Sequence, residues 1–284
     1  MADRLGRARI SARRFHKQPR FTTRRGSVSI LPRYARDANV CNDWLMLTEF
    51  LSASDAQRVS LLLEKLSAYG LRGAALVGSI ATEVHLHSQG RNTELRPLND
   101  LDFIVESFTS LPASLADGFL VHHIHPHAPE GKLLLQLIDR EQALRIDLFR
   151  QFGNTLTRVE RRTWLTESVT LISLEDLVAR TTALLLRSLR TGRTVDPKHA
   201  HSFRRLVGLG ERRRIDAAWR DHRQSERTSF HDAVQLAQCL LDLHPELAIR
   251  EPYSSEVSVC SKCEDHGPFR RARPDIIVQT LGYW

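Results

Sequence analysis

Long hydrophobic runs are missing from this sequence, and cysteine is scarce. No uninterrupted apolar stretch approaches the roughly 18 residues that cross a bilayer, and the N-terminus carries no apolar core of the kind that marks a secretion signal. Together these absences point away from membrane-embedded and secreted classes. A cytoplasmic protein with no membrane partner is the expectation. Four cysteines in 284 residues do not make a disulfide scaffold, so reduced thiols or a metal site are the readings left for them. Internal repeats and long low-complexity linkers are also lacking. What remains is the composition of an ordinary globular chain, 42% hydrophobic and 26% charged, long enough to bury a sizeable core.

The net charge of +8 resembles a nucleic-acid signal until it is located. Residues 1–40 hold eleven Lys or Arg against two acids, which leaves 30 basic and 31 acidic residues for the rest. The body is therefore nearly neutral. The basic run has little apolar periodicity and reads as a disordered tail, with an electrostatic arm for RNA or DNA as the functional alternative.

Along the chain the pattern changes from mixed to helical. Trp44 to Tyr69 carries helical spacing, with Ser54 and Gln57 as a capping pair. Gly73–Val77 is a short apolar strand, Ser79–His87 suits a helix, and Leu101–Val105 is a second strand. Gly118–Ile124, Lys132–Asp139 and Ala143–Phe149 are further strand candidates, the last two joined by a hairpin at "DREQ". From Ser173 helices dominate, opened by the capping pattern Ser173-Leu-Glu-Asp176. The expected fold class is α+β: a small mixed sheet flanked by helices, then a helical C-terminal part. In domain terms this gives a tail over 1–40, a mixed α/β domain over 41–170, and a mainly helical domain over 171–284 with a Cys-x-x-Cys tail.

Chemistry concentrates in one constellation. In a strand, residues i and i+2 face the same way, so Asp100 and Asp102 project side by side. Two such carboxylates repel unless a cation joins them, and hard oxygen ligands suit Mg²⁺ or Mn²⁺. Asp147 in "LRIDLF" is the candidate third acid, placed mid-strand where an acid has little structural purpose. Upstream, Gly78-Ser79 at a helix start offers backbone N–H groups and a hydroxyl to a phosphate.

A Gly-Ser helix start, then Asp100-Leu101-Asp102-Phe103, then a later acid resembles the motif set of the DNA polymerase β-like nucleotidyltransferase superfamily. The helix-rich second half, opening at Ser173–Leu177, is similar more narrowly to the AbiEii-type nucleotidyltransferase toxins of bacterial abortive-infection systems. The resemblance implies transfer of a nucleoside monophosphate from an NTP to a hydroxyl on RNA, protein or a small molecule, with Mg²⁺ or Mn²⁺ as cofactor. On that pattern Asp100 and Asp102 hold metal and triphosphate, Gly78 and Ser79 contact phosphate, and Asp147 ligates metal or accepts the proton of the attacking hydroxyl. A toxin would also have an antitoxin protein as partner. The Ser79-to-Asp100 spacing is longer than is usual for the family, because "HSQGRNTELRP" inserts a polar loop. The relatives place a lysine in the helix after the sheet, where this chain has Arg180; Lys198 is a further candidate phosphate ligand. Small-molecule transfer and non-catalytic nucleotide or RNA binding are the alternatives.

Other clusters carry two readings each. Arg91 and Arg96 in the inserted loop are phosphate ligands or ordinary loop charge. His122, His123, His125 and His127 are structural or exposed histidines, residues of an active-site mouth, or metal ligands. Cys260 and Cys263 have the spacing of half a zinc site, with His266 and Cys239 as conceivable partners, or form a reduced or reversibly oxidised pair. Phe203 and Trp219 are spaced as core residues, and the basic runs including Arg204-Arg205 are either solvated faces or a groove for a nucleic-acid acceptor.

Overall fold

Ser52, in extended backbone geometry, stops the chain and caps the first described helix, α1 (Ala53–Ala68), its hydroxyl accepting the Asp55 N–H. The cap lies two residues before the expected Ser54, because the S-x-x-D spacing of Ser52 and Asp55 satisfies the helix start directly. The computed structural model describes residues 47–95, 97–125, 134–164, 167–190, 197–223 and 227–243. The expected basic tail, Arg96, His127, Cys260, Cys263 and His266 lie outside the described residues.

Strand β1 (Ala75–Val77) runs into helix α2 (Gly78–Ser88), and β2 (Asp100–Val105) returns antiparallel to β1. A short helix, α3 (Leu115–Gly118), precedes β3 (Leu120–His125), β4 (Leu134–Asp139) and β5 (Leu144–Arg150). Two strands escaped the sequence reading, β6 (Glu160–Trp164) and β7 (Glu167–Leu171). β6 opens with Glu160-Arg-Arg162 and forms one border of the sheet, where exposed charge replaces the apolar alternation by which strands are recognised.

The seven strands lie in the order β3-β4-β5-β2-β1-β7-β6. β2 pairs parallel with β5, and β1 parallel with β7, while the other neighbours are antiparallel. This is the expected mixed sheet. Its apolar face is laid down by register: Leu101, Ile146 and Leu137 are neighbours across three strands, and all three are buried.

Helix α4 (Leu174–Arg190) follows β7, and α5 (Pro197–Leu206), α6 (Arg212–His222) and α7 (Phe230–Leu243) pack around it. α4 serves two cores. Leu174, Leu177 and Val178 join the apolar cluster of the sheet, and Ala179, Ala183 and Leu186 join a second cluster with Phe203, Trp219 and Ala237. Phe203 and Trp219 are thus core side chains, and stacking on nucleic-acid bases is not open to them. Among the described residues no helix is long and apolar enough to cross a membrane.

A polar network fastens the start of α4. Ser173 caps it, its hydroxyl accepting the Asp176 N–H and donating to the Asp176 carboxylate. Arg158 donates to both Asp176 oxygens at 2.8 and 2.7 Å and to Asp221 at 2.7 Å, and His222 lies 3.0 Å from Asp176. The loop after β5, α4 and α6 are therefore tied at one carboxylate.

Candidate active site

Backbone register builds the site. Asp102 stands directly opposite Asp147 in the parallel β2–β5 pair, and Asp100 stands opposite Arg145. Alternation puts all four on one face of the sheet. Each of the three acids offers an oxygen within 4.8 Å of the others, the one such group of possible metal ligands among the described residues. Gln136, opposite Asp147 on β4, donates to its two carboxylate oxygens at 3.1 and 3.3 Å.

The carboxylates are unfavourably placed for three negative charges. Burial first, then the charges of Asp100 and Asp147, push the Asp102 carboxyl up to about 8. Burial also drives Asp147 upward, to about 6; Arg145 opposes this, Asp100 adds to it, and Gln136 and Lys198 oppose it. A cluster that resists ionisation yet is built only of hard oxygen donors fits a divalent cation. The three acids expected from sequence are thus brought together.

Gly78 closes the other side. It has φ +74°, and a Cβ at its position would lie 2.9 Å from Asp102 Cγ, so both backbone and space demand glycine. The reason is local: Val77 of β1 is the cross-strand partner of Asp102, and the chain turns into α2 at the next residue. No side chain caps α2, so the N–H groups of its first turn point outward beside the carboxylates without a capping acceptor. Ser79 and Asp100 line one crevice together with Glu83 and Leu98. Substituting Gly78 by Ala is expected to cost about 1–3 kcal/mol, from the left-handed backbone and the crowded carboxylate. Chemical denaturation checks this, with the midpoint moving and the slope unchanged.

Arg180 approaches from α4. Its guanidinium packs over the Phe149 ring at 5.0 Å from the centroid, and its Nη1 is buried with no hydrogen-bond partner among the described residues. Burial lowers its pKa, and the charge of Asp102 opposes that. Lys198, exposed on α5, acts on Asp147 in the same way. Both side chains thus bring positive charge within electrostatic range of the acids.

In the inserted loop Arg91 is exposed, and Glu94 lies 2.9 Å from His201 on α5 while its N–H donates to Glu83 of α2, which is fully buried and paired with Arg205 at 2.6 and 2.8 Å. Arg205 also donates to Asn92 O. This residue is a fastener of the loop, not part of an acceptor groove. In β3, His123 is buried and His122 half-buried, and neither belongs to a group of metal ligands among the described residues. Cys239 is exposed as a free thiol.

Arg145 is the residue that sequence reading missed. Its Nη2 bonds Asp100 Oδ2, and its Nε lies 3.1 Å from Asp147 Oδ1. The signal was present in "LRIDLF": a basic residue two before the acid shares its face of the strand.

No family model and no curated protein matches this chain. Among solved structures, an antigenic nucleotidyltransferase-like protein from Paracoccidioides brasiliensis is similar, with 18% identity, a TM-score of 0.40, and coverage of 70% of this chain and 92% of that one. At that distance the functional reading rests on the site's own geometry.

Proposed function

We propose that this chain is a metal-dependent nucleotidyltransferase, moving a nucleoside monophosphate from an NTP to an acceptor hydroxyl. The observation that carries the reading is the register of Asp102 against Asp147, with Asp100 on the same face and the uncapped start of α2 beside them. A Mg²⁺ or Mn²⁺ ion held by Asp100, Asp102 and Asp147 would supply charge neutralisation at the transferring phosphoryl group. The chain's own groups do the rest. Backbone N–H groups at Gly78 and Ser79 hold phosphate oxygens, with Gly78 allowing the close approach. Arg180, kept in place by Phe149, and Lys198 add positive charge on the far side of the carboxylates. Asp147, opposite Asp102 on the same face, either completes the metal's ligands or takes the proton of the attacking hydroxyl.

The AbiEii-type resemblance extends this proposal to a toxin whose acceptor is an RNA or protein hydroxyl and whose activity an antitoxin protein restrains. Support for that extension is the opening of α4 at Ser173–Leu177 and the helices that pack around it. The test is label transfer from each α-³²P NTP, with Mg²⁺ or Mn²⁺, into total RNA and protein, beside the Asp100→Ala protein. Label in a macromolecular band that disappears with the variant is the expected result. Equal labelling by both proteins, or metal-dependent NTP binding with no transfer to macromolecules or to small hydroxyl compounds, would overturn it.

A further inference from the structure

The carboxylate cluster has a cation of its own. Arg145 and Asp147 share one face of β5, and Arg145 is the cross-strand partner of Asp100, so its guanidinium spans the two acids that a metal would join. The two ends of this bridge are unequal. Nη2 makes a hydrogen bond with Asp100, whereas Nε, though 3.1 Å from Asp147 Oδ1, is buried and lacks a hydrogen bond of good geometry. Its link to Asp147 is a charge contact alone. Asp147 Oδ1 meanwhile keeps a second donor in Gln136.

Charge counting around the cluster points the same way. Arg145 sits among the acids, and the charges of Arg180 and Lys198 act on Asp102 and Asp147, so the cluster already has cationic neighbours of its own. A bare divalent ion entering that set adds uncompensated positive charge and must also displace a guanidinium. A polyphosphate arriving with the metal removes both obstacles. It brings negative charge, and it gives the displaced guanidinium a bidentate partner.

Resting on the nucleotidyltransferase reading, we propose that Arg145 is the resident counter-cation of the empty cluster. It yields Asp147 when a metal–nucleoside triphosphate enters, pivoting about Asp100, so that metal and polyphosphate bind together rather than metal first. Arg145 is in this sense a positioning residue that sets the order of binding.

The experiment is Mn²⁺ binding followed by the EPR signal of free Mn²⁺. It uses the wild-type chain, R145Q, R145K and D102N, each with and without a nucleoside α,β-imidotriphosphate that cannot be transferred. Wild type is expected to bind Mn²⁺ about tenfold or more tightly with the analogue than without, within the usual range of coupling between sites. R145Q is expected to bind bare Mn²⁺ about tenfold more tightly than wild type and to lose most of the coupling. R145K, whose ammonium cannot span two carboxylates, is expected to fall between them and keeps the test decisive should R145Q fail to fold. Bare Mn²⁺ binding by R145Q and R145K that is unchanged or weaker would overturn the proposal, because Arg145 would then be aligning the acids for metal. No Mn²⁺ binding by wild type under either condition, or D102N binding as wild type does, would instead remove the metal site itself.

Discussion

Replacing Asp102 by asparagine is expected to abolish nucleotidyl transfer while making the metal-free protein more stable. The change is nearly isosteric, so the contact with Gly78 survives, but one of three mutually repelling acids is gone. Removing a group that holds the transferring phosphate's counter-charge costs on the order of a thousandfold or more in rate. The stability gain depends on pH, and its sign follows from linkage. Asp102 is held up to about 8 in the folded chain, against 3.8 when free, so between these values the folded state binds the extra proton. Stability from this group is therefore lost as pH rises through that window. At pH 3.8 and below the variant and wild type should melt together. At pH 8 the variant should melt a few degrees higher, equivalent to about 1–2 kcal/mol. Mg²⁺ or Mn²⁺ added together with a non-transferable nucleoside triphosphate should raise the wild-type melting temperature at pH 8 far more than that of the variant. A wild type that melts higher than the variant at pH 8 without metal would contradict the electrostatic account of the site.

Replacing Asp176 by alanine is expected to be the most destabilising single change among the polar residues considered. Burial alone would raise this carboxyl, but the hydrogen bonds from Arg158, His222 and Ser173 outweigh it and hold it at about 2. Alanine leaves Arg158 with only Asp221 and leaves His222 buried without its carboxylate. It also removes the acceptor of the Ser173 hydroxyl at the start of α4. Breaking a buried pair by deleting one partner costs about 3–5 kcal/mol, which for a chain of this size is roughly 6–20 °C in melting temperature. Because its folded pKa is depressed, Asp176 stabilises wild type above pH 3.8 and loses that contribution as pH falls toward 2. Wild type and variant should therefore converge in stability on acidification. Thermal melts at pH 7 and pH 3 check both parts, and a difference that persists undiminished toward pH 2 would count against the ionic network.

How the site was legible follows from which residues needed only their own strand to be understood. Asp100 and Asp102 are two apart, and a two-residue period alone puts them on one face. Gly78 announces itself because few residues other than glycine end a strand and turn into a helix at once, and φ +74° confirms the demand. Asp147 was conspicuous as an acid among Ile146, Leu148 and Phe149. The short apolar strands and the capped start of α4 were legible for similar reasons, since period and capping are local properties. β6 was not, because it is a border strand that opens on the charged residues Glu160, Arg161 and Arg162, and β7 was not, because only its end, with Val169 and Leu171, carries the buried apolar residues that mark a strand.

Sequence by itself determined the acid pair, the glycine that abuts it, the third acid and the change from mixed to helical structure, all of which follow from spacing and residue type along a continuous segment. Only the tertiary structure decided what those acids meet. The parallel pairing of β2 with β5 sets Asp102 against Asp147 and Arg145 against Asp100, and a shift of one residue would have sent Asp147 and Arg145 to the opposite face. Arg180, far along the chain, reaches the same acids because α4 packs back over Phe149, and the inserted loop is turned toward Arg205 by a buried Glu83. Pairing and packing across many residues of separation depend on how apolar surface is shared among elements, and no local pattern carries that information.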